Sequence, residues 1–536
     1  MNGLWGYSGP RDAAIDRAMA SALAHREAAV IFGDLEIAGE LSTPFDPSAF
    51  PDKVTFLRSL RGSFALSLRD GNTLHLARDA AGRRSLYYAI HEGRLLYASE
   101  PKAILAVPGF QRTLRPGAVA QYLSFSFIPG GGTMLEGVHA LPAGSFVSFD
   151  GDTLTEPQRY HFPEEGEGAD EQDWVARFNE TLDRAIDRLV PHDRDSLAVF
   201  LSGGIDSSLV TACLAERHAS KPLHSFSIHF GRKYDNELEF AGAVARQCGT
   251  RHHEVAIEPK MFVPRLYDFI RALDEPIGDP VALPNFELAR IVGKDFDHVF
   301  NGEGGDPLFG GPKNVPMMLH HWYGGESAHE PGHRERAYLA SYRRGYEELS
   351  HLLTPEFRKE IDEPRDLESV LTPFFEAPKP HRMINKLSLI NMRLKGAHLI
   401  LPKVERTLGA HGVTPLSPLF DEDLIDLSFQ IPPTLKLSRG VEKIIMKKAF
   451  AGRLPQSVID RPKVGMRVPV YHWMQKEMKR YARSVLSPKR LRGDGIFNER
   501  RVKQLLDYRT EEGPGRYGLR LWMLTTFQIW KEIVLG

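Results

Sequence analysis

The sequence predicts an α/β protein in two parts. An antiparallel, strand-rich domain of α+β type comes first. A doubly wound parallel-sheet domain follows and runs into a helical C-terminal part. Three observations predict this. Short alternating stretches separated by turn signals fill the first ~160 residues. Val199 to Val210 reads as a buried strand, a glycine loop and the opening of a helix. From Trp174 to Asn301 strand and helix patterns alternate. With 536 residues, the chain is long enough for more than one core.

In the first part, Ser63 to Leu68 alternates apolar with polar, Asp70-Gly71 reads as a turn, and Thr73 to Ala77 returns. Arg84 to Ala89 and Arg94 to Ala98 form a second hairpin around His91-Glu92-Gly93. A third pairing is expected around Ala143-Gly144, with Ser145 to Phe149 leading to Asp150-Gly151. The acidic, glycine-containing stretch from Pro163 to Asp170 has no large apolar side chain and reads as a linker. The expected division is a domain over 1–162, a linker over 163–173 and a second domain over 174–536.

In the second part, Trp174, Val175, Phe178, Leu182, Ala185, Ile186 and Leu189 recur at helical spacing. The strand and glycine loop come next, then Leu223 to Ile228 as a strand, a helix around Glu239 to Gln247, and His253 to Ile257 as another strand. A further strand, His298 to Asn301, runs into a glycine-rich loop carrying Glu303 and Asp306. In doubly wound sheets, ligands sit beyond the carboxyl ends of the strands.

The loop Ser202-Gly203-Gly204-Ile205-Asp206-Ser207-Ser208 suits an anion. Adjacent glycines let the backbone approach a ligand, three hydroxyls are at hand, and the helix start supplies free N–H groups. Asp206 belongs beside phosphates only if it holds a cation such as Mg2+. The G-x-x-x-x-G-K-[ST] pattern is missing, which excludes a Walker-type site. Two carboxylates among the glycines from 302 to 311 are poorly explained by packing, although a solvated loop remains the alternative. Asp460 to Pro469 is a proline-pinned loop with the cations Arg461, Lys463 and Arg467, suited to phosphate or an oxyanion. His252-His253-Glu254 is read as structural, because neighbours on a strand face opposite ways.

The formal net charge of -1, without a charged tail, excludes a nucleic-acid partner. No stretch is apolar enough to span a membrane. Only Cys213 and Cys248 occur, which is no disulfide framework. A cytoplasmic location is expected. Assembly as a homodimer stays open.

The segment from Ser202 to Ser207 is similar to the pyrophosphate loop of ATP pyrophosphatases (the PP-loop). A longer collinear set resembles the asparagine synthetase superfamily. It comprises Ala77-Arg78-Asp79 with Gly82, Leu86-Tyr87-Tyr88, Ala98 to Ala103, Leu223 to Ile228, Asp274-Glu275-Pro276, Gly302 to Asp306 with Phe309-Gly310-Gly311, and Arg461-Pro462-Lys463. The resemblance implies an Ntn-hydrolase-like antiparallel sandwich ahead of the PP-loop domain. It departs at four places. Asn2 stands where glutamine-dependent members carry a nucleophilic cysteine, and their glutamine-binding segments have no counterpart before Phe56. Glu303 matches the asparagine synthetases, whereas β-lactam and carbapenam synthetases carry Tyr. Pro307 replaces a usual Glu, and Leu416 replaces an arginine.

The resemblance implies an ATP-dependent, AMP-forming amide ligase with an inactive glutaminase domain, akin to β-lactam synthetases, carbapenam synthetases and lasso-peptide cyclases. Its substrates would be a small-molecule or peptide carboxylate and an amine, in specialised-metabolite biosynthesis. An ammonia-dependent asparagine synthetase and an inactive scaffold are the alternatives. ATP would lie against Ser202, Gly203, Gly204, Asp206, Ser207, Ser208, Gly302 and Gly304. Phe226 and Ile228 would border adenine or else belong to the sheet core. Asp206 and Asp306 would hold Mg2+. Lys463 would stabilise the oxyanion, Glu303 would position or deprotonate the amine, and Lys443 would contact phosphate or else lie on a helix face.

Overall fold

The computed structural model describes residues 2–32, 34–41, 52–166, 168, 170–231, 233–325, 330–342, 345–462, 465–509 and 514–536. Two antiparallel sheets build the first part, one of four strands and one of six. Gly62–Asp70 and Thr73–Arg78 pair across Asp70 and Thr73, and Tyr87–His91 pairs with Arg94–Ala98, as the two hairpin signatures predict. The third expected pairing is corrected. Val138–Ala140 joins the four-stranded sheet beside Tyr87–His91, while Ser145–Phe149 joins the other sheet beside Thr73–Arg78. Ala143-Gly144 is therefore a crossing between sheets. The reason is local: Leu141 N–H donates to Leu86 and Gly144 N–H to Asp79, so each side of the crossing is tied to a different partner.

The second part holds five parallel strands: β1 (Leu197–Phe200), β2 (Leu223–His229), β3 (Arg251–Ala256), β4 (His298–Phe300) and β5 (Thr414–Leu416). Their order is β3-β2-β1-β4-β5. The order reverses between β1 and β4, and a crevice opens there at the strand ends. α1 (Ile205–Arg217) leaves β1 through the glycine loop. The strand β5 was not read from the sequence; its three residues, with Pro415 central, show no strand period.

Glu165 and Asp170 anchor the expected linker. Glu165 accepts from His381 N–H at 2.9 Å, Arg382 N–H at 3.1 Å and Asn385 Nδ2 at 2.7 Å. Asp170 caps the helix Glu171–Leu189, which buries Trp174, Phe178, Leu182, Ala185 and Ile186 as its periodicity predicts. The two parts share a polar, buried seam. Arg83 pairs with Glu422, Ser85 Oγ donates to Glu405 at 2.7 Å, Arg78 donates to the Ala397 carbonyl at 3.0 Å, and Arg406 meets Asp274 and the Ser99 carbonyl.

A continuous helical run over 383–409 packs against β5 at its C-terminal end, and its middle, Asn391–Ile400, is a π-helix. Such wide turns change which side chains share a face and frequently occur at functional sites. Among the described residues, no helix is long and apolar enough to cross a membrane.

Candidate active site

A cavity of about 410 Å3 sits beyond the carboxyl ends of β1 and β4. Ser202, Asp206 and Ser207 line it from the first loop, and Gly302, Glu303, Gly304 and Asp306 from the second. The sequence reading sets both loops around one ATP site, and the strand order puts them side by side.

The loops interlock through missing side chains. A Cβ on Gly302 would overlap the Ser207 amide, and one on Gly305 would overlap the Asp206 carboxylate. Gly203 has φ +76, and a side chain there would strike the backbone of Ala241. Ser207 Oγ accepts from Ser202 N–H at 3.1 Å and lies 3.0 Å from Ser202 Oγ, while Gly204 N–H donates to Ser202 Oγ at 3.3 Å. Hydroxyls and amides of the kind that suit an anion are thus gathered at one turn. Ser208 is placed otherwise. It is fully buried inside α1, its N–H donates to the Gly204 carbonyl, and it does not line the cavity. Its helical position turns its side chain into the core. Gly203 and Gly204 shape the turn without lining the cavity themselves.

Lys443 is the unexpected centre. Its ammonium donates to Asp206 Oδ1 at 2.7 Å and Oδ2 at 2.5 Å, and stands 2.5 Å from Asp306 Oδ1. It is fully buried, which removes the helix-face alternative. Its backbone is left-handed, φ +56, directly before the helix Ile444–Ala449. For a residue with a Cβ that geometry costs on the order of 1–2 kcal/mol, and it persists only where surroundings impose it. Here two carboxylates do so.

Asp206 and Asp306 together carry one more negative charge than Lys443 neutralises. Asp306 keeps 38 % of its side chain exposed on the cavity side. No group of three or more metal-ligating side chains exists among the described residues. Two carboxylates beside a phosphate cradle suit Mg2+, which takes one or two protein carboxylates and completes its shell with phosphate and water.

Glu303 faces the other side of the cavity. Its N–H donates to Asn301 Oδ1 at 3.0 Å, and its carboxylate lies 4.0 Å from Lys403 Nζ. Lys403 also donates to Asp279 at 3.1 Å. Sequence reasoning missed Lys403 and Asp279. The run Pro402 to Arg406 reads as a charged surface, yet Lys403, Glu405 and Arg406 are all buried. Asp279 follows Asp274-Glu275-Pro276 closely enough that its acidic neighbours were the available signal.

Phe226 is buried, stacked on His253 with centroids 4.6 Å apart, and edge-on to Phe296. Phe226 and Ile228 belong to the sheet core and also line the cavity. His252 contacts Ser225 Oγ at 2.8 Å and His253 contacts His224 at 3.1 Å, in keeping with structural roles. Lys463 lies outside the described residues. Its neighbour Arg461 pairs with Glu237, which lines the cavity, and stacks 4.1 Å over Phe240. Leu416 is buried on β5 and does not line this cavity.

Asn2 sits far along the chain from these groups. Its side-chain carbonyl accepts from Gly39 N–H at 3.1 Å, an ordinary tie between segments.

Comparison with known proteins agrees with this geometry. An asparagine synthase family model matches residues 177–532, and a glutamine amidotransferase domain model matches residues 53–161. The chain is similar to the glutamine-hydrolyzing asparagine synthetase 1 of Bacillus subtilis, at 26% identity over 88% of this chain and 78% of the relative. A putative glutamine-hydrolyzing asparagine synthetase of Mycobacterium tuberculosis is 28% identical over 89% of this chain and 77% of its own length. The carboxyethyl-arginine beta-lactam-synthase of Streptomyces clavuligerus is 27% identical over 81% and 68%, respectively.

Proposed function

This chain belongs to the asparagine synthase family, and from that premise we propose that it adenylates a substrate carboxylate and passes the acyl group to an amine without hydrolysing glutamine. It is a carbon–nitrogen ligase that forms AMP and pyrophosphate. The observation that carries the reading is the meeting of Asp206, Asp306 and Lys443 at the reversal of strand order, beside a hydroxyl-rich glycine turn.

In the first step a carboxylate oxygen attacks the α-phosphorus of ATP and pyrophosphate leaves. Ser202, Ser207 and the amides around Gly204 hold the departing phosphates, and Lys443 supplies a buried positive charge beside them. Asp206 and Asp306 would hold Mg2+, which would neutralise phosphate charge there. In the second step the amine attacks the acyl carbon, loses a proton, and AMP leaves. Glu303 stands where it can orient the amine or accept that proton, with Lys403 and Asp279 fixing its side of the cavity. By its motif, Lys463 serves the oxyanion.

Two features support an amine other than glutamine-derived ammonia. Asn2 offers no thiol, and the glutamine amidotransferase match begins only at residue 53. The likeness to a beta-lactam synthase supports a place in specialised-metabolite biosynthesis. The carboxylate and amine would then be a small molecule or peptide, joined within one molecule or between two.

ATP–pyrophosphate exchange over a panel of carboxylates, aspartate included, tests the reading. Exchange with a non-standard amino acid supports it. Aspartate with free ammonia as the sole productive pair would replace it with asparagine synthesis. No exchange and no ATP binding would overturn the ligase.

A further inference from the structure

A second cavity, about 460 Å3, opens at the seam between the two parts, on the side of the π-helix away from the nucleotide cavity. Four arginines line it, Arg115, Arg159, Arg365 and Arg393, against one carboxylate, Asp366. Pro129, Pro142, Val370 and Phe374 give it apolar walls.

The charges in this cleft are not balanced from within. Arg365 and Asp366 pair with each other at 3.2 Å. Arg115 spends its donors on the Thr133 carbonyl and Gln121, both at 3.0 Å. Arg393 is 4 % exposed and meets no carboxylate among the described residues. Its donors reach the carbonyls of Ala80, Ala143 and His161 and the His161 ring. Its Nε has no acceptor, and neither has the buried Nε2 of His398, which lines the same cleft. Burial pushes Arg393 down to about 9, and the charge that acts on it most is another cation, Arg159. Arg159 has no carboxylate partner among the described residues either; its guanidinium lies 5.5 Å over the Phe374 ring. Asp426 reaches Arg393 only through the His161 ring, and a buried guanidinium with no carboxylate of its own is expensive, the more so with a second cation beside it. Arg393 commits both terminal nitrogens to those carbonyls and the His161 ring and keeps its Nε–H and its charge for a ligand, whereas Arg159, lying over Phe374, presents a planar fork of the kind that binds carboxylate and phosphate oxygens in pairs of hydrogen bonds.

We propose that this cleft binds a small organic oxyanion, a phosphate ester or a polycarboxylate, between Arg159 and Arg393. The site is separate from the nucleotide cavity but shares a wall with it. Within Asn391–Ile400, Arg393, Leu394 and His398 line the cleft, while Lys395, Leu399 and Ile400 line the nucleotide cavity. An anion drawing on Arg393 therefore bears on the same ten residues that face the substrates.

Calorimetric titration of the full chain with inorganic phosphate and with citrate tests this. The expected result is that at least one probe binds at millimolar concentration or below, and that Arg159→Ala weakens binding tenfold or more. The same variant should keep its ATP–pyrophosphate exchange rate when no probe is added. Phosphate alone assigns a phosphate ester, and citrate alone a polycarboxylate. Binding of neither probe overturns the proposal. Equal binding by Arg159→Ala also overturns it, because that binding resides at the nucleotide loop. Arg159 is the deciding position: it is exposed on the two-residue strand Gln158–Arg159, whereas Arg393 also holds the Ala80 and Ala143 carbonyls and its loss would disturb folding.

Discussion

Lys443 donates its buried ammonium to both carboxylate oxygens of Asp206. One side chain thus joins the glycine loop after β1 to the segment after a hairpin more than two hundred residues later, and the site cannot assemble without it. Lys443→Ala removes a fully buried cation from between Asp206, itself buried, and Asp306. Breaking such a pair from one side costs about 3–5 kcal/mol. We expect that loss in urea unfolding at pH 7, together with loss of ATP–pyrophosphate exchange. A stability change under 1 kcal/mol would mean that Lys443 is not structural.

Gly302→Ala tests the interlocked loops. The added Cβ falls on the Ser207 amide, a backbone atom that cannot swing away. Overpacking of this kind costs roughly 1–3 kcal/mol, and the displaced cradle should raise the KM for ATP tenfold or more. Unchanged ATP binding would show that the two loops separate when nucleotide enters.

Glu275 gives a pH signature at the seam. Burial pushes its carboxyl up to about 7, against the hydrogen bond from Met134 N–H and the charge of Arg115. Its folded value lies above its unfolded one, so stability is fully present below about pH 4.5 and is lost as pH rises through 7. Glu275→Gln keeps an acceptor for Met134 and removes that loss. The variant should match the parent at pH 4.5 and exceed it at pH 8 by up to about 2 kcal/mol, discounted for partial exposure. Denaturation at both pH values decides it; a gain that is equal at both would assign the effect to packing.

Asn2→Ala removes one acceptor for Gly39 N–H, worth about 0.5–1.5 kcal/mol. It should leave amide formation unchanged, and neither parent nor variant should release glutamate from glutamine. Glutamate release by the parent would restore an amidotransferase role to the first domain.

Lys463→Ala should lower amide formation about 10²-fold or more, the usual cost of one lost oxyanion donor, while the melting temperature stays in place. Product at the parental rate would remove Lys463 from the chemistry.

The parts legible in the sequence were those with a short period or a glycine signature. The strands at 197, 223, 251 and 298, the two hairpins, and the loops at Ser202 and Glu303 all announce themselves locally. What escaped depends on distant partners. Lys403 looks like a surface residue until Asp279 and Glu303 are set against it. The role of Lys443 as a bridge appears only when β1 and β4 are neighbours, since its motif points to phosphate alone. The crossing at Ala143-Gly144 has a hairpin's composition, but Arg393 reaches its carbonyl from 250 residues away and the flanking strands belong to different sheets. Ser208 shows the opposite case: a hydroxyl in a glycine loop invites a binding role, while the helix phase turns its side chain inward.

The charged seam has a consequence for how this chain can change over time. Arg83, Ser85 and Arg78 of the first part satisfy Glu422, Glu405 and the Ala397 carbonyl of the second. Excising the first part would leave Glu422 without Arg83, Glu405 without the Ser85 hydroxyl and the Ala397 carbonyl without its donor, the last two in the helical run that also walls the nucleotide cavity. Selection on the ligase therefore holds the first part in place whatever chemistry that part performs itself. A domain kept in this way behaves as scaffolding that has been built into the wall: its own doorway can close, and it still cannot be taken down.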